Sequence, residues 1–114
     1  MADKPLVWLG SSLARVRRFP QDARAATGFQ LRWLQCGLTP NDWKLVSSVG
    51  PGACEIRIRT ALEHRILYVA KFAEAIYVLH AFEKKTQPTP LSDIELAIGR
   101  YDDLIRRRPS RKEP

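Results

Sequence analysis

The phrase LHAFEKKTQ, Leu79 to Gln87, delivers an imidazole, two ammonium groups and a hydroxyl at the end of an apolar run. An imidazole with its ordinary pKa of about 6.5 gives or takes a proton near neutrality. Neighbouring cations such as Lys84 and Lys85 stabilise negative charge that develops on a phosphate oxygen. Arg57 and Arg59 in CEIRIR and Arg65 in HRILYV add guanidinium groups, whose planar fork suits two-point contact with phosphate. Tyr68 can stack on a base or donate a hydrogen bond. Lys71 follows in the same run, and His64 directly precedes Arg65. Each of these residues also has a plainer reading. His80 alternates with Ile76, Val78 and Phe82 and fits a packed strand histidine. Lys84 and Lys85 fit a charged strand exit that discourages edge pairing. The arginines fit a solvated face partly paired with Glu55 and Glu63, and Tyr68 fits packing. No carboxylate pair, Ser/His/Asp set or Gly-rich phosphate loop stands out, which argues against hydrolases of those types and against nucleotide-driven chemistry.

These side chains need a sheet to hold them. Arg65 to Phe72 and Ala75 to Phe82 are rich in β-branched and aromatic residues and predict a β-hairpin turning at Ala73 and Glu74. In CEIRIR, Cys54, Ile56 and Ile58 alternate with Glu55, Arg57 and Arg59, so one face is apolar and the other charged. That pattern predicts a sheet covered on one side, its charged side open to a ligand. If the hairpin strand is regular, Arg65 and Tyr68 point to opposite faces, and only a bulge or a strand end would re-aim one of them. Lys4 to Leu9 reads as a first strand ending at Gly10. Ser11 or Ser12 can cap a helix through Phe19, and a second helix runs from Pro20 to about Gln35, giving a helical hairpin that covers the apolar face. Trp43 to Val46 reads as an edge strand before the SSVGPG loop. Pro88 to Pro90 breaks the chain. Ser92 then caps a last helix with Asp93 and Glu95 in its first turn and Arg106 to Arg108 in its last, an order that suits the helix dipole. The fold class is α+β, with a small, mostly antiparallel β-sheet packed against an N-terminal helical hairpin and a C-terminal helix.

The chain has 114 residues, which fits a single domain. Its 19 Lys and Arg against 12 Asp and Glu give net +7, a balance that favours a polyanionic partner such as nucleic acid. Part of the excess lies in Arg106, Arg107, Arg108, Arg111 and Lys112, read as a basic, flexible tail from about residue 107. Cys36 and Cys54 form no CxxC pair or metal-spaced cluster, so reduced thiols and no metal or cofactor are expected. No apolar run approaches the ~20 residues of a membrane span, and no signal-peptide core precedes the first strand, so a cytoplasmic location is expected.

Taken together, KPLVWLGSSL, FPQDAR, GFQLRWLQCG, EIRIR, HRILYVAKF, IYVLHAFEKKTQPTP and DIELAIGRYDDL resemble the phage-derived, HigB-like branch of the RelE/ParE toxin superfamily. The likeness runs from Lys4 to about Arg106. It implies the toxin half of a type II toxin–antitoxin module, an endoribonuclease (mRNA interferase) that cuts mRNA on the translating ribosome and so inhibits translation. In such enzymes the 2′-hydroxyl attacks the adjacent phosphate without a metal. The resemblance would put Arg57 and Arg65 on the phosphate and His80 as acid or base. Lys84 joins the catalytic set, with Arg59, Tyr68, Lys71 and Lys85 contacting RNA. A helix-turn-helix antitoxin, forming a hetero-oligomer with the toxin, would be the protein partner. A ParE-like gyrase inhibitor and an inactive phage-derived binding module are the alternatives.

Overall fold

The computed structural model describes residues 3–85 and 90–108. Its elements follow the predicted order: β1 (Leu6–Trp8), α1 (Ser12–Arg17), α2 (Gln21–Gln35), β2 (Trp43–Leu45), β3 (Ala53–Arg59), β4 (Glu63–Val69), β5 (Ile76–Glu83) and α3 (Leu91–Arg107). The five strands form one sheet in the order β1-β5-β4-β3-β2. All neighbours are antiparallel except β1, which lies parallel to β5. This is the α+β architecture with a mostly antiparallel sheet that the sequence pattern predicts.

Each face of the sheet rests on its own core. Ile56, Ile58, Ile66, Tyr68, Ile76, Val78 and Ala81 face the helical hairpin and pack on Val16, Phe19, Ala23 and Leu31. On the other face Ala53, Leu67, Val69, Leu79 and Phe82 pack on Ala97, Tyr101 and Leu104 of α3. The expectation that the sheet is covered on one side only is therefore corrected. The stripe Ala97, Tyr101 and Leu104 is apolar at helical spacing and must bury somewhere; the apolar half of the second face is where it does so. What stays open on that face is the end carrying Glu55, Arg57, Arg65 and Lys84.

A second correction concerns the hairpin. The register places Leu67 opposite His80 but Tyr68 opposite Val78, so β5 carries an extra residue at Leu79. Such a bulge turns the strand and breaks its alternation. As a result Val78 faces the hairpin helices while Phe82 faces α3, although simple alternation puts them together. The bulged carbonyl of Leu79 accepts a hydrogen bond from Arg100 Nη1 of α3 at 2.8 Å, and Arg100 Nη2 reaches Ser11 Oγ at 3.0 Å. Gly10, at φ +53, makes room for that guanidinium, since a Cβ there would stand 2.5 Å from Arg100 Nε.

The turn is also longer than the two residues Ala73 and Glu74, because β4 ends at Val69 and β5 begins at Ile76. Neither Ala nor Glu tolerates the positive φ that the tightest hairpin turns require. The loop is tied to α3 instead: Arg108 donates to Glu74 at 2.7 Å and its guanidinium lies 3.7 Å over the Phe72 ring. That arginine holds the Glu74 carboxyl down to about 2. Arg106 and Arg107 belong to the last turn of α3, as the charge order predicts, with Arg108 as its C-cap, and the side chains of Arg106 and Arg107 are exposed. The predicted caps differ as well. Pro20 and Pro90 stand at the N-caps of α2 and α3, and Ser11 caps α1 without a side-chain hydrogen bond. Ser92 thus lies inside the first turn of α3. Residues Thr86 to Thr89 and the basic residues Arg111 and Lys112 lie outside the described residues.

The docking of α3 is testable by two of its leucines that differ in burial. Leu104 is buried and Leu96 is exposed. Leu104→Ala is expected to cost about 2–5 kcal/mol by urea unfolding, and Leu96→Ala less than about 0.5 kcal/mol. Equal effects would contradict this packing.

Candidate functional site

A cavity of about 430 Å³ opens where β3, β4 and the exit of β5 meet the start of α3; Lys44, Ser47, Ser48, Glu55, Arg57, Arg65, Lys84 and Ile94 are among its walls. Arg57 and Arg65 are directly opposed across β3 and β4. Two like charges in that position repel. Glu55, two residues back on β3, resolves the conflict by lying diagonal to Arg65: it accepts from Arg65 Nη1 and its carboxylate is 3.6 Å from Arg57 Nε. Glu63 takes the other side of Arg65, accepting from Nε at 2.7 Å and also from Nη2. Burial pushes the Glu63 carboxyl up, but the hydrogen bond from Arg65 and the charges of Arg65, Arg59 and Lys84 outweigh it, and the net shift is downward. Arg57 also meets Asp42 at 3.5 Å.

Lys84 lacks such compensation. It is buried, and its Nζ has no hydrogen-bond partner among the described residues; Arg57 Nε also lacks a hydrogen bond but keeps the Glu55 carboxylate 3.6 Å away. A buried, unpartnered ammonium is costly. An anion seated in the cavity would relieve that cost with charge-assisted hydrogen bonds.

Of the residues singled out from the sequence, Arg57, Arg65 and Lys84 are brought together here. The others are elsewhere. His80 is fully buried outside the cavity, its ring stacked on Phe82 and its Nε2 2.7 Å from Asp93 Oδ1 of α3. In this position it ties β5 to α3 and does not line the cavity. Tyr68 is buried on the opposite face, in the core under the hairpin helices. Its hydroxyl is pushed well above its ordinary pKa by burial, which suits packing. The bulge follows Leu67 and leaves Arg65 and Tyr68 on opposite faces. Arg59 is exposed and lies 3.8 Å from Asp42. Lys71 lies far along the hairpin, over the Phe72 ring. Lys85 is exposed beside the cavity's end. His64 is buried on the helical-hairpin face, 4.1 Å from the Phe19 ring.

Two contributions to the cavity were not singled out from the sequence. From the sequence Glu55 reads only as a pairing partner for arginine, whereas it is the carboxylate in the wall and almost fully buried. Its spacing of two from Arg57 was the available signal. Ser47 and Ser48 come from the loop that precedes β3, and only tertiary contacts bring them there. Tyr101 of α3 donates to the Pro51 carbonyl at 2.5 Å and fills the space beside Gly50, where a Cβ would stand 2.7 Å from its ring. Among the described residues, no group of three or more His, Cys, Asp and Glu side chains could hold a metal ion, and no helix is long and apolar enough to cross a membrane.

The Glu55–Arg65 pair supports a prediction about stability. Removing one partner of a buried ion pair strands the other charge, so Glu55→Ala is expected to cost about 3–5 kcal/mol, while Glu55→Leu with Arg65→Met recovers most of it. Urea unfolding of the three proteins measures this.

A second prediction follows from the histidines. Burial lowers the pKa of both His64 and His80 from 6.5, although Asp93 partly offsets the effect at His80. As pH falls the unfolded chain therefore takes up these protons first. Stability is full above about pH 6.5 and is lost as pH falls toward the lower folded values. The urea midpoint should drop between about pH 7.5 and 5.5, and His64→Phe should shrink the drop.

Residues 14–102 match the family model of phage-derived Gp49-like proteins (DUF891). No curated protein matches the chain.

Proposed function

On the premise that this chain belongs to the phage-derived Gp49-like family, we propose that it is the toxin of a type II toxin–antitoxin module and cuts mRNA on the translating ribosome. The family is associated with toxin–antitoxin toxins. The observation that carries the reading is the convergence of Arg57, Arg65 and the unpartnered Lys84 on one cavity beside a single buried carboxylate, Glu55.

The reaction in this reading needs only groups the cavity supplies. The 2′-oxygen of one ribose attacks the adjacent phosphorus and the bond from phosphorus to the 5′-oxygen breaks. A 2′,3′-cyclic phosphate and a 5′-hydroxyl result. One proton leaves the 2′-hydroxyl and one arrives on the 5′-oxygen. Arg57 and Arg65 hold the non-bridging oxygens, whose charge grows in the transition state. Glu55 is the wall group able to accept the first proton, and Lys84 the one able to give the second. His80 acts here through α3, as a positioning residue. The partners in this reading are mRNA, the ribosome and a helix-turn-helix antitoxin.

Induction of the chain in growing cells is expected to arrest growth and to create new mRNA 5′ ends. Lys84→Ala, which removes an unpaired group and leaves the ion pairs intact, should reduce cleavage about 10²–10³-fold. Lost DNA supercoiling without new RNA ends would replace this reading with gyrase inhibition. Unimpaired growth and translation would leave an inactive binding module.

A further inference from the structure

On the opposite face of the sheet from the cavity, at the same end of β4 and β5, lies a second cleft of about 300 Å³ whose walls include Arg15, Arg18, Phe19, Pro20, His64 and Glu83. We propose that this cleft is a second RNA subsite, holding a nucleotide of the substrate strand that flanks the one cut. This rests on the reading of the first cavity as an RNA site.

Arg15 and Arg18 are exposed cations with no ion-pair partner among the described residues, unlike Arg57 and Arg65. His64, 1% exposed, forms part of the wall, and its Nδ1 has no hydrogen-bond partner among the described residues. Glu83 stands on the same wall, directly opposite His64 across β4 and β5. Two guanidinium groups suit a phosphodiester, while a carboxylate acceptor and an unpaired imidazole nitrogen suit the mixed donors and acceptors of a base edge. An inorganic anion would gain nothing from Glu83. A nucleotide uses both halves of the wall.

Position links the two sites. His64 and Arg65 are consecutive in β4, and consecutive strand residues face opposite sides, so the clefts stand back to back across one thickness of sheet. Lys84 lies in the first and Glu83 in the second, and Lys85, the next residue along the chain, is exposed. A flexible single strand seated on Arg65 and Lys84 reaches Arg15 and Arg18 by passing round the shared end of β4 and β5. A duplex is too stiff to do so.

The test compares binding of fluorescein-labelled single-stranded RNAs of about 3 and about 12 nucleotides, lengths below and within the usual reach of such grooves. Fluorescence anisotropy is read at several salt concentrations. Arg15→Ala with Arg18→Ala should weaken the longer RNA about tenfold, lower its salt slope by about 1.4 for two lost phosphate contacts, and leave the shorter RNA unchanged. Lys84→Ala should weaken both. If the arginine variant weakens the long RNA and Lys84→Ala affects neither, the subsite stands and the reading of the first cavity falls. Unchanged affinity for the long RNA in the arginine variant overturns the subsite. So does a loss seen only on isolated ribosomes, which would assign these arginines to ribosomal RNA. A loss of poly-glutamate binding equal to the loss of RNA binding, with no dependence on RNA length, overturns it in favour of an acidic protein segment.

Discussion

A guanidinium in the middle of a sheet has to be neutralised where it stands. Arg65 lies on β4, flanked by β3 and β5, with 6% of its side chain exposed. Moving such a charge out of water costs several kcal/mol unless hydrogen bonds satisfy it on every side. Glu55 and Glu63 supply those bonds from β3 and from Arg65's own strand. The same arrangement permits Arg57 to sit opposite Arg65, because Glu55 lies between the two positive groups. The open end of the second sheet face exists because this charged cluster occupies it.

The bulge in β5 complements that constraint. By turning Leu79 and Phe82 toward α3 while Ile76, Val78 and Ala81 stay with the helical hairpin, it provides a β5 that is apolar on both faces. Arg100 then serves the carbonyl that the bulge sets free, and Asp93 meets His80 one helical segment earlier. These two polar ties hold the first half of α3 against β5. Lys84 emerges where that packing ends, close enough to Ile94 to share a wall with it. The position of the Lys84 ammonium is thus a consequence of how the strand is bent and how the helix is clamped.

Local pattern carried most of the architecture. The CEIRIR alternation, the two β-rich runs and the stripe of α3 specify their elements because each is a repeat of side-chain type along one segment. What pattern cannot carry is the docking of one finished element on another. The stripe Ala97, Tyr101 and Leu104 announces a buried face without saying which sheet face receives it. A bulge is one residue of mismatch between two strands and leaves no mark on either strand alone, so His80 kept its place in a false alternation with Val78. For the site, the charged face of β3 and the arginine opposite it were legible in residue types. The burial of Glu55, the solitary state of Lys84 and the separation of Tyr68 from Arg65 depend on packing across the sheet. The hydrogen bonds that neutralise Arg65 could be anticipated as pairings, but not their burial.

The central claim is that the cavity transfers a phosphate bond to a neighbouring 2′-hydroxyl. The chemistry of the product ends tests it most directly. After induction of the chain, RNA should be collected and its new 5′ ends captured separately as 5′-hydroxyl and 5′-phosphate species. The account predicts new 5′-hydroxyl ends matched upstream by 2′,3′-cyclic phosphates, all absent when Lys84 is replaced by alanine. New 5′-phosphate ends, or no new ends in cells whose growth has stopped, would contradict it.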